Sequence, residues 1–179
     1  MNVLVPKRVT DVLRKELAAA GRREIGGVLV GEHVEGQTFR IVDLSVQRAG
    51  GSAVAFTRDP AQHRDFLKQF FEKTGRDYRR FNYIGEWHSH PSFPPVPSLA
   101  DRAVMADIVV DPKVGAAFAV LIVAQLHWWW GLRLSVTAFR PGAEPQSVEA
   151  TGEPGERNAG NFRSVPPLPA GKRRFINLL

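Results

Sequence analysis

Two histidines one residue apart, His88-Ser89-His90, are the pair in this chain most suited to chemistry. On an extended strand, residues i and i+2 face the same way, so both imidazoles project together about 6–7 Å apart. Seven residues later, Ser98-Leu99-Ala100-Asp101 reads as a helix start. Serine fits the cap and the acid fits the third helical position of a capping box. Asp101 alone would be an ordinary helix-start residue. Beside the His pair, it becomes a third ligand, near the free N–H groups and positive dipole end of the helix. His88, His90 and Asp101 then form a three-ligand zinc site whose fourth position stays open for water or substrate. Ser98 serves as cap, as oxyanion donor, or as both. The chain has no cysteine, so thiolate metal sites, disulfides and cysteine nucleophiles are excluded.

A metal-assisted hydrolysis also needs a proton acceptor that is not a ligand. Glu86 shares a strand face with His88 and His90 by alternation. Glu24 stands before Gly26-Gly27, a pair that permits close backbone approach. The residue pattern leaves both carboxylates open.

The elements that must position these groups are legible in outline. Thr10 or Asp11 caps a first helix ending near Ala20, with Gly21 as its stop and Val12, Leu13, Leu17 and Ala20 as its apolar stripe. A strand over 24–31 follows, and Gly36 turns the chain into a second over 38–46, where Phe39, Ile41 and Leu44 mark the alternation. A short strand is expected near 54–57. Asp59-Pro60 opens a second helix carrying His63, Phe66, Leu67, Phe70 and Phe71 at helical spacing, and Gly75 ends it. Residues 83–90 read as a strand and the Pro-rich 91–97 as a loop, a stiff connector or a groove wall. A third helix runs from Ser98 to before Pro112, and strands over 116–125 and 129–139 complete the set. Trp87 is expected in the core opposite the metal face. The phenylalanines of the second helix read as core. His33 and His63 lack a partner at ligand spacing and read as surface or half-buried residues. Trp128-Trp129-Trp130 beside His127 reads as a hairpin end with alternate rings packed inward, in preference to an exposed aromatic patch.

Helices interspersed with strands indicate an α/β class, one mixed and largely antiparallel sheet flanked by helices. From Pro141 the composition shifts to Pro, Gly, Glu and Ala, so residues 1–140 are expected as the domain and 141–179 as a linker and tail. The 179 residues are enough for a core that needs no metal staple, so a metal here is functional. The longest apolar run, 116–124, is far short of the ~20 residues of a membrane helix, and the N-terminus lacks a signal core; a cytoplasmic location is expected, with no membrane partner. Net charge is +6, but the basic residues are scattered, so a solvated surface is favoured over a nucleic-acid site.

Glu24 with Gly27-x-Leu29-x-Gly31, then His88-Ser89-His90-Pro91 and Ser98-x-x-Asp101, resembles the JAB/MPN domain with its JAMM metalloprotease motif. All five motif positions are present at their spacing, over roughly residues 5–140. The resemblance implies the JAB/MPN fold with cytidine-deaminase-like layering. It implies one zinc ion on His88, His90 and Asp101, Glu24 rather than Glu86 as general acid/base, and Ser98 as oxyanion donor. It also implies an isopeptidase that cuts after the C-terminus of a ubiquitin-like protein. Gly85-Glu86-Trp87-His88 looks like the bacterial branch, whose members accompany ubiquitin-activating-like and conjugating-like enzymes, including in anti-phage operons. Other members release a small adduct from a sulfur-carrier protein, and some relatives are non-catalytic scaffolds.

Overall fold

The chain builds its sheet from apolar segments that alternate cleanly between two faces. In the computed structural model, residues 1–52, 58–127, 131–155 and 162–166 are described. The expected strand near 54–57, the Trp128–Trp130 run and the end of the chain lie outside them. The strands are β1 (Asn2–Leu4), β2 (Gly26–Glu35), β3 (Thr38–Leu44), β4 (Phe81–Ser89), β5 (Ala119–His127), β6 (Gly131–Phe139), β7 (Gln146–Ser147), β8 (Glu149–Thr151) and β9 (Phe162–Ser164). They form one sheet in the order β7-β6-β5-β4-β2-β3-β1-β8, with β9 also paired to β6. The long ladders β2–β3, β2–β4 and β5–β6 are antiparallel, while β4–β5 at the centre is parallel. The expected mixed α/β sheet is therefore present.

Helix α1 (Lys7–Ala20) covers one face and α3 (Leu99–Val110) the other; α2 (Arg64–Lys73) packs near β4. Strand β5 shows why both faces need cover. Its Val120, Ile122 and Ala124 join the α1 core with Val9, Leu13 and Leu17, and its Ala119, Leu121 and Val123 join Met105 and Val109 of α3. A strand buried on both faces needs a continuous apolar run, which is what this segment is.

Several boundaries and burials differ from the sequence expectation. Helix α1 starts after Pro6, with no side-chain cap, several residues before Thr10; Val9 is buried and Val12 is 38% exposed. Pro6 holds the N-cap position with extended backbone, and its carbonyl accepts from Val9 N–H at 2.9 Å and Thr10 N–H at 3.2 Å, so the helix begins without a polar side-chain cap. Asp59 does cap the second helical segment, but its first turn, Pro60–His63, is a 3₁₀ turn. Only Phe70 of its phenylalanines is fully buried. His63 is no surface residue: it is 1% exposed, within hydrogen-bond reach of Ser45 Oγ at 2.7 Å and Gln47 Oε1 at 3.2 Å. The composition break at Pro141 is not the edge of the sheet. Strand β8 pairs with β1, β9 with β6, and Val148 and Ala150 are buried in the α1 core. Strands of two or three residues are too short for alternation to reveal. Among the described residues, no helix is long and apolar enough to cross a membrane.

Candidate metal centre

Strand β4 carries the site on its α3 side. His88 faces there, while Trp87 points into the α1 core and donates its indole N–H to Ser45 O at 2.9 Å. This is the expected opposition of the two side chains. His90 lies just beyond β4, and its backbone N–H donates to Ala124 O at 2.9 Å, which keeps the chain extended through both histidines. The two Nε2 atoms are 3.1 Å apart. Asp101 Oδ1 lies 3.5 Å from His88 Nε2, and Oδ2 lies 3.8 Å from His90 Nε2. One ligand atom from each of the three residues falls within 4.8 Å of the others.

The local chemistry orients each donor. His90 Nδ1 is 3.0 Å from Pro94 O, a carbonyl that can only accept. The proton therefore sits on Nδ1, and Nε2 presents a lone pair to the centre. The Pro-rich loop is thus a buttress for a ligand, and Gln125 holds it by donating to Phe93 O at 2.8 Å. Burial pushes the His90 imidazole toward its neutral form, helped by the charge of His88. Asp101 is the third residue of α3. Ser98 Oγ accepts from its backbone N–H at 3.1 Å, and Ser98 N–H donates to its Oδ2 at 2.6 Å. Burial raises the affinity of Asp101 for a proton. The hydrogen bond and charge of His88, with the bonds from Ser98, outweigh this and hold its carboxyl well below the usual carboxylate range. Two imidazoles and one carboxylate suit a divalent, borderline-soft cation. The Ser98 hydroxyl keeps its own hydrogen free to donate.

Glu24 is brought in from far away in sequence. Gly26 of β2 pairs with His88, Ile25 N–H donates to Ser89 Oγ at 3.0 Å, and Ser89 N–H donates to Ile25 O at 2.8 Å. Glu24 itself is anchored by its N–H to Ser52 O at 2.7 Å. Gly27 makes room for this, since a Cβ there would lie 2.1 Å from Ser45 O. Glu24 is 4% exposed and has no ion pair among the described residues. Burial raises its pKa, with His88 pulling it down and Asp101 pushing it up, so the carboxyl is in electrostatic reach of both residues.

Glu86 also faces the site but is already engaged. It forms an ion pair with Arg58, and Tyr83 OH donates to its Oε1 at 3.5 Å. Gly85, at φ 147°, sits in a bulge opposite Leu29 and Val30, where a Cβ would lie 1.9 Å from Val120 O. The bulge resets the alternation, which lets Tyr83 share a face with Glu86 while Ile84 joins the α1 core. Arg58 and Tyr83 were not identified from the sequence, because no local spacing ties Arg58 to Glu86.

The helix-covered mixed sheet thus gathers two histidines and an aspartate that could hold a metal ion, with a buried glutamate in electrostatic reach of them. Residues 6–133 match the family model of the prokaryotic homologs of the JAB domain, and the chain belongs to that family. It is similar to a CD-NTase/cGAS isopeptidase of Vibrio cholerae serotype O1, 30% identical over 121 residues that cover 65% of this chain and 73% of that protein. A CD-NTase/cGAS isopeptidase of Enterobacter hormaechei subsp. hoffmannii is 29% identical over 125 residues, 68% of this chain and 66% of that one. About a quarter to a third of each relative thus lies outside the match. The solution structure of a Desulfitobacterium hafniense protein superimposes with a TM-score of 0.62 at 16% identity, covering 84% of this chain and 92% of that one; it shares the fold.

Proposed function

We propose that this chain is a zinc-dependent isopeptidase that hydrolyses the amide bond after the C-terminus of a ubiquitin-like protein. The observation that carries the reading is the convergence of His88, His90 and Asp101 beside a buried carboxylate, Glu24, that pairs with no cation among the described residues. The isopeptidase names of the two relatives support the reaction class.

His88 and His90 would hold the ion through Nε2 and Asp101 through its carboxylate. Zinc, when bound, supplies Lewis-acid polarisation and makes a water acidic near neutral pH. Glu24 takes the proton of the attacking water as the water oxygen bonds to the amide carbon. Its raised proton affinity lets it keep that proton until the C–N bond breaks, and it then delivers it to the departing lysine amine. Ser98 directs its hydroxyl hydrogen to the oxygen on which negative charge develops. All of the residues given a role here fall within 1–140, and the reaction is placed in the cytoplasm. The relatives' names lead us to place it in a CD-NTase-associated conjugation system, with ubiquitin-activating-like and conjugating-like enzymes as companions.

The test is zinc content together with cleavage of a ubiquitin-like protein joined to a reporter lysine. Wild type should bind zinc and cut. Glu24→Gln should keep zinc and cut about 10²–10⁴-fold more slowly. A Glu24→Gln protein that cuts as fast as wild type would overturn the mechanism.

A further inference from the structure

His63 is buried and has no role in the chemistry described above, yet both of its ring nitrogens are engaged. The imidazole bridges Ser45 and Gln47, with Nδ1 2.7 Å from Ser45 Oγ and Nε2 3.2 Å from Gln47 Oε1. The Gln47 amide is fixed in its orientation. Its Oε1 accepts from Asp59 N–H at 2.8 Å, and its Nε2 donates to Ala49 O at 2.9 Å. His63 Nε2 therefore carries the proton and donates to that oxygen, and Nδ1 accepts from the Ser45 hydroxyl. The Ser45 oxygen accepts in turn from Val28 N–H at 3.0 Å. Burial, and next the charge of Arg58, hold the ring toward its neutral form.

Ser45 and Gln47 belong to the segment on which Glu24 hangs. Segment 45–52 bonds alternate residues of the stretch 24–28: Ser45 N–H donates to Val28 O at 3.0 Å, Gln47 N–H donates to Gly26 O at 2.7 Å, and Ser52 O accepts from Glu24 N–H at 2.7 Å. The other edge of that stretch bonds the strand of the histidines, through Ile25 and Ser89. Segment 45–52 belongs to no strand, and Gln47 meets Gly26 as an isolated pair. Side chains give it shape instead. Gln47 ties Ala49, Arg48 pairs with Glu16 of α1, and His63 ties Ser45 to Gln47. We infer, on the proposed role of Glu24 in hydrolysis, that His63 is a positioning residue for the Glu24 carboxylate. It fixes Ser45 against Gln47, and through them the point at which the Glu24 backbone enters the site. A displacement of about 1 Å at a reacting group costs on the order of 10²-fold in rate, so a strut remote from the centre governs turnover without touching it.

The experiment uses zinc-loaded full-length protein. Cleavage of a ubiquitin-like protein joined to a reporter lysine gives kcat and KM, and amide hydrogen exchange at Glu24 is read by NMR without substrate. In His63→Gln, the side-chain amide still donates to Gln47. In His63→Asn, it is too short for that and meets only Ser45. His63→Asn should lower kcat about 10–100-fold, with KM and zinc content at wild-type levels. It should also speed exchange at Glu24. His63→Gln should bring both readouts back to near wild type. Gln47→Met breaks the same link from the other side and should reproduce His63→Asn, so the test survives an asparagine variant that does not fold. Glu32→Gln, which loses stability at the far end of the sheet, should leave kcat unchanged. In a Glu24→Gln background, His63→Asn should slow turnover by no more than about twofold, because the group it positions is gone. Losses that multiply in the double variant, unchanged exchange at Glu24, or unchanged kcat in both His63→Asn and Gln47→Met overturn the inference. Slow Glu24→Gln beside fast His63→Asn keeps the isopeptidase reading and removes His63 from it. Wild type that binds zinc and cuts nothing removes the isopeptidase reading; faster exchange at Glu24 in His63→Asn, absent in His63→Gln, then still upholds the strut.

Discussion

Three buried glutamates divide the sheet into two regions with opposite electrostatics. Among the described residues, Glu24 at the site end pairs with no arginine and Glu86 pairs with Arg58. At the far end of β2, Glu32 has two, with Arg40 Nη1 at 2.6 Å and Arg80 Nε at 2.8 Å. Burial raises the proton affinity of all three. At Glu24 it prevails over the charge of His88, and at Glu86 it prevails even over Arg58. At Glu32, the hydrogen bonds and charges of Arg80 and Arg40 overcome it, and the carboxyl falls below its ordinary value. The cost of desolvating an ion is offset at the far end and left standing at the site. A carboxylate left that way suits proton transfer, and one doubly paired suits holding strands together.

The largest change is expected at the metal donors of the site end. Asp101→Ala should abolish zinc retention and turnover together, because it removes one of only three donors; zinc retained at the wild-type level would remove Asp101 from the ligand set. Exchanging the two site carboxylates comes next. Glu86→Gln leaves Arg58 partly buried without its partner, so it should cost about 1–3 kcal/mol in denaturant unfolding. Its rate loss should stay well below the 10²–10⁴-fold expected of Glu24→Gln. If Glu86→Gln proves as slow as Glu24→Gln with its fold intact, the roles of the two residues are reversed.

The smallest effect belongs to Glu32. Its folded pKa is depressed, so it contributes stability that is present above its unfolded value of 4.5 and is lost as pH falls through the folded pKa. Glu32→Gln should lower stability at neutral pH by about 1–2 kcal/mol, since its carboxylate is only 10% exposed between two arginines. The stability difference from wild type should close on acidification, while the rate of hydrolysis at neutral pH should match wild type. A difference that stayed constant down to strongly acidic pH would mean that the pairs do not hold the far end.

The grouping of the proposed metal donors was legible because they are local. His88 and His90 share a strand face, and Asp101 sits where a capping box places it; each follows from spacing of two or three residues along a regular element. The layout of helices and strands followed from periodicity, with errors where a different local device took over. Pro6 opened α1 without a polar cap, a 3₁₀ turn replaced the first turn after Asp59, and the strands after Pro141 were too short to show a period. His63 read as a surface or half-buried residue because its partners, Ser45 and Gln47, come from a distant segment.

The sequence by itself determined the site's ligand chemistry: two imidazoles, one carboxylate, no thiol, and a serine at the helix start. The residue pattern left Glu24 and Glu86 open and the family resemblance favoured Glu24; the tertiary structure supplied the physical difference between them, an ion pair with Arg58 at Glu86 and none at Glu24 among the described residues. Alternation made Glu86 the nearer candidate, and its engagement by Arg58 and Tyr83 is invisible along the chain. Glu24 reaches the centre through the pairing of β2 with β4, across more than sixty residues. Periodicity encodes which way a side chain points on its own element. Which charges end up sharing a dry space is set by how the elements pair, and that decides which carboxylate is neutralised and which is left to carry a proton.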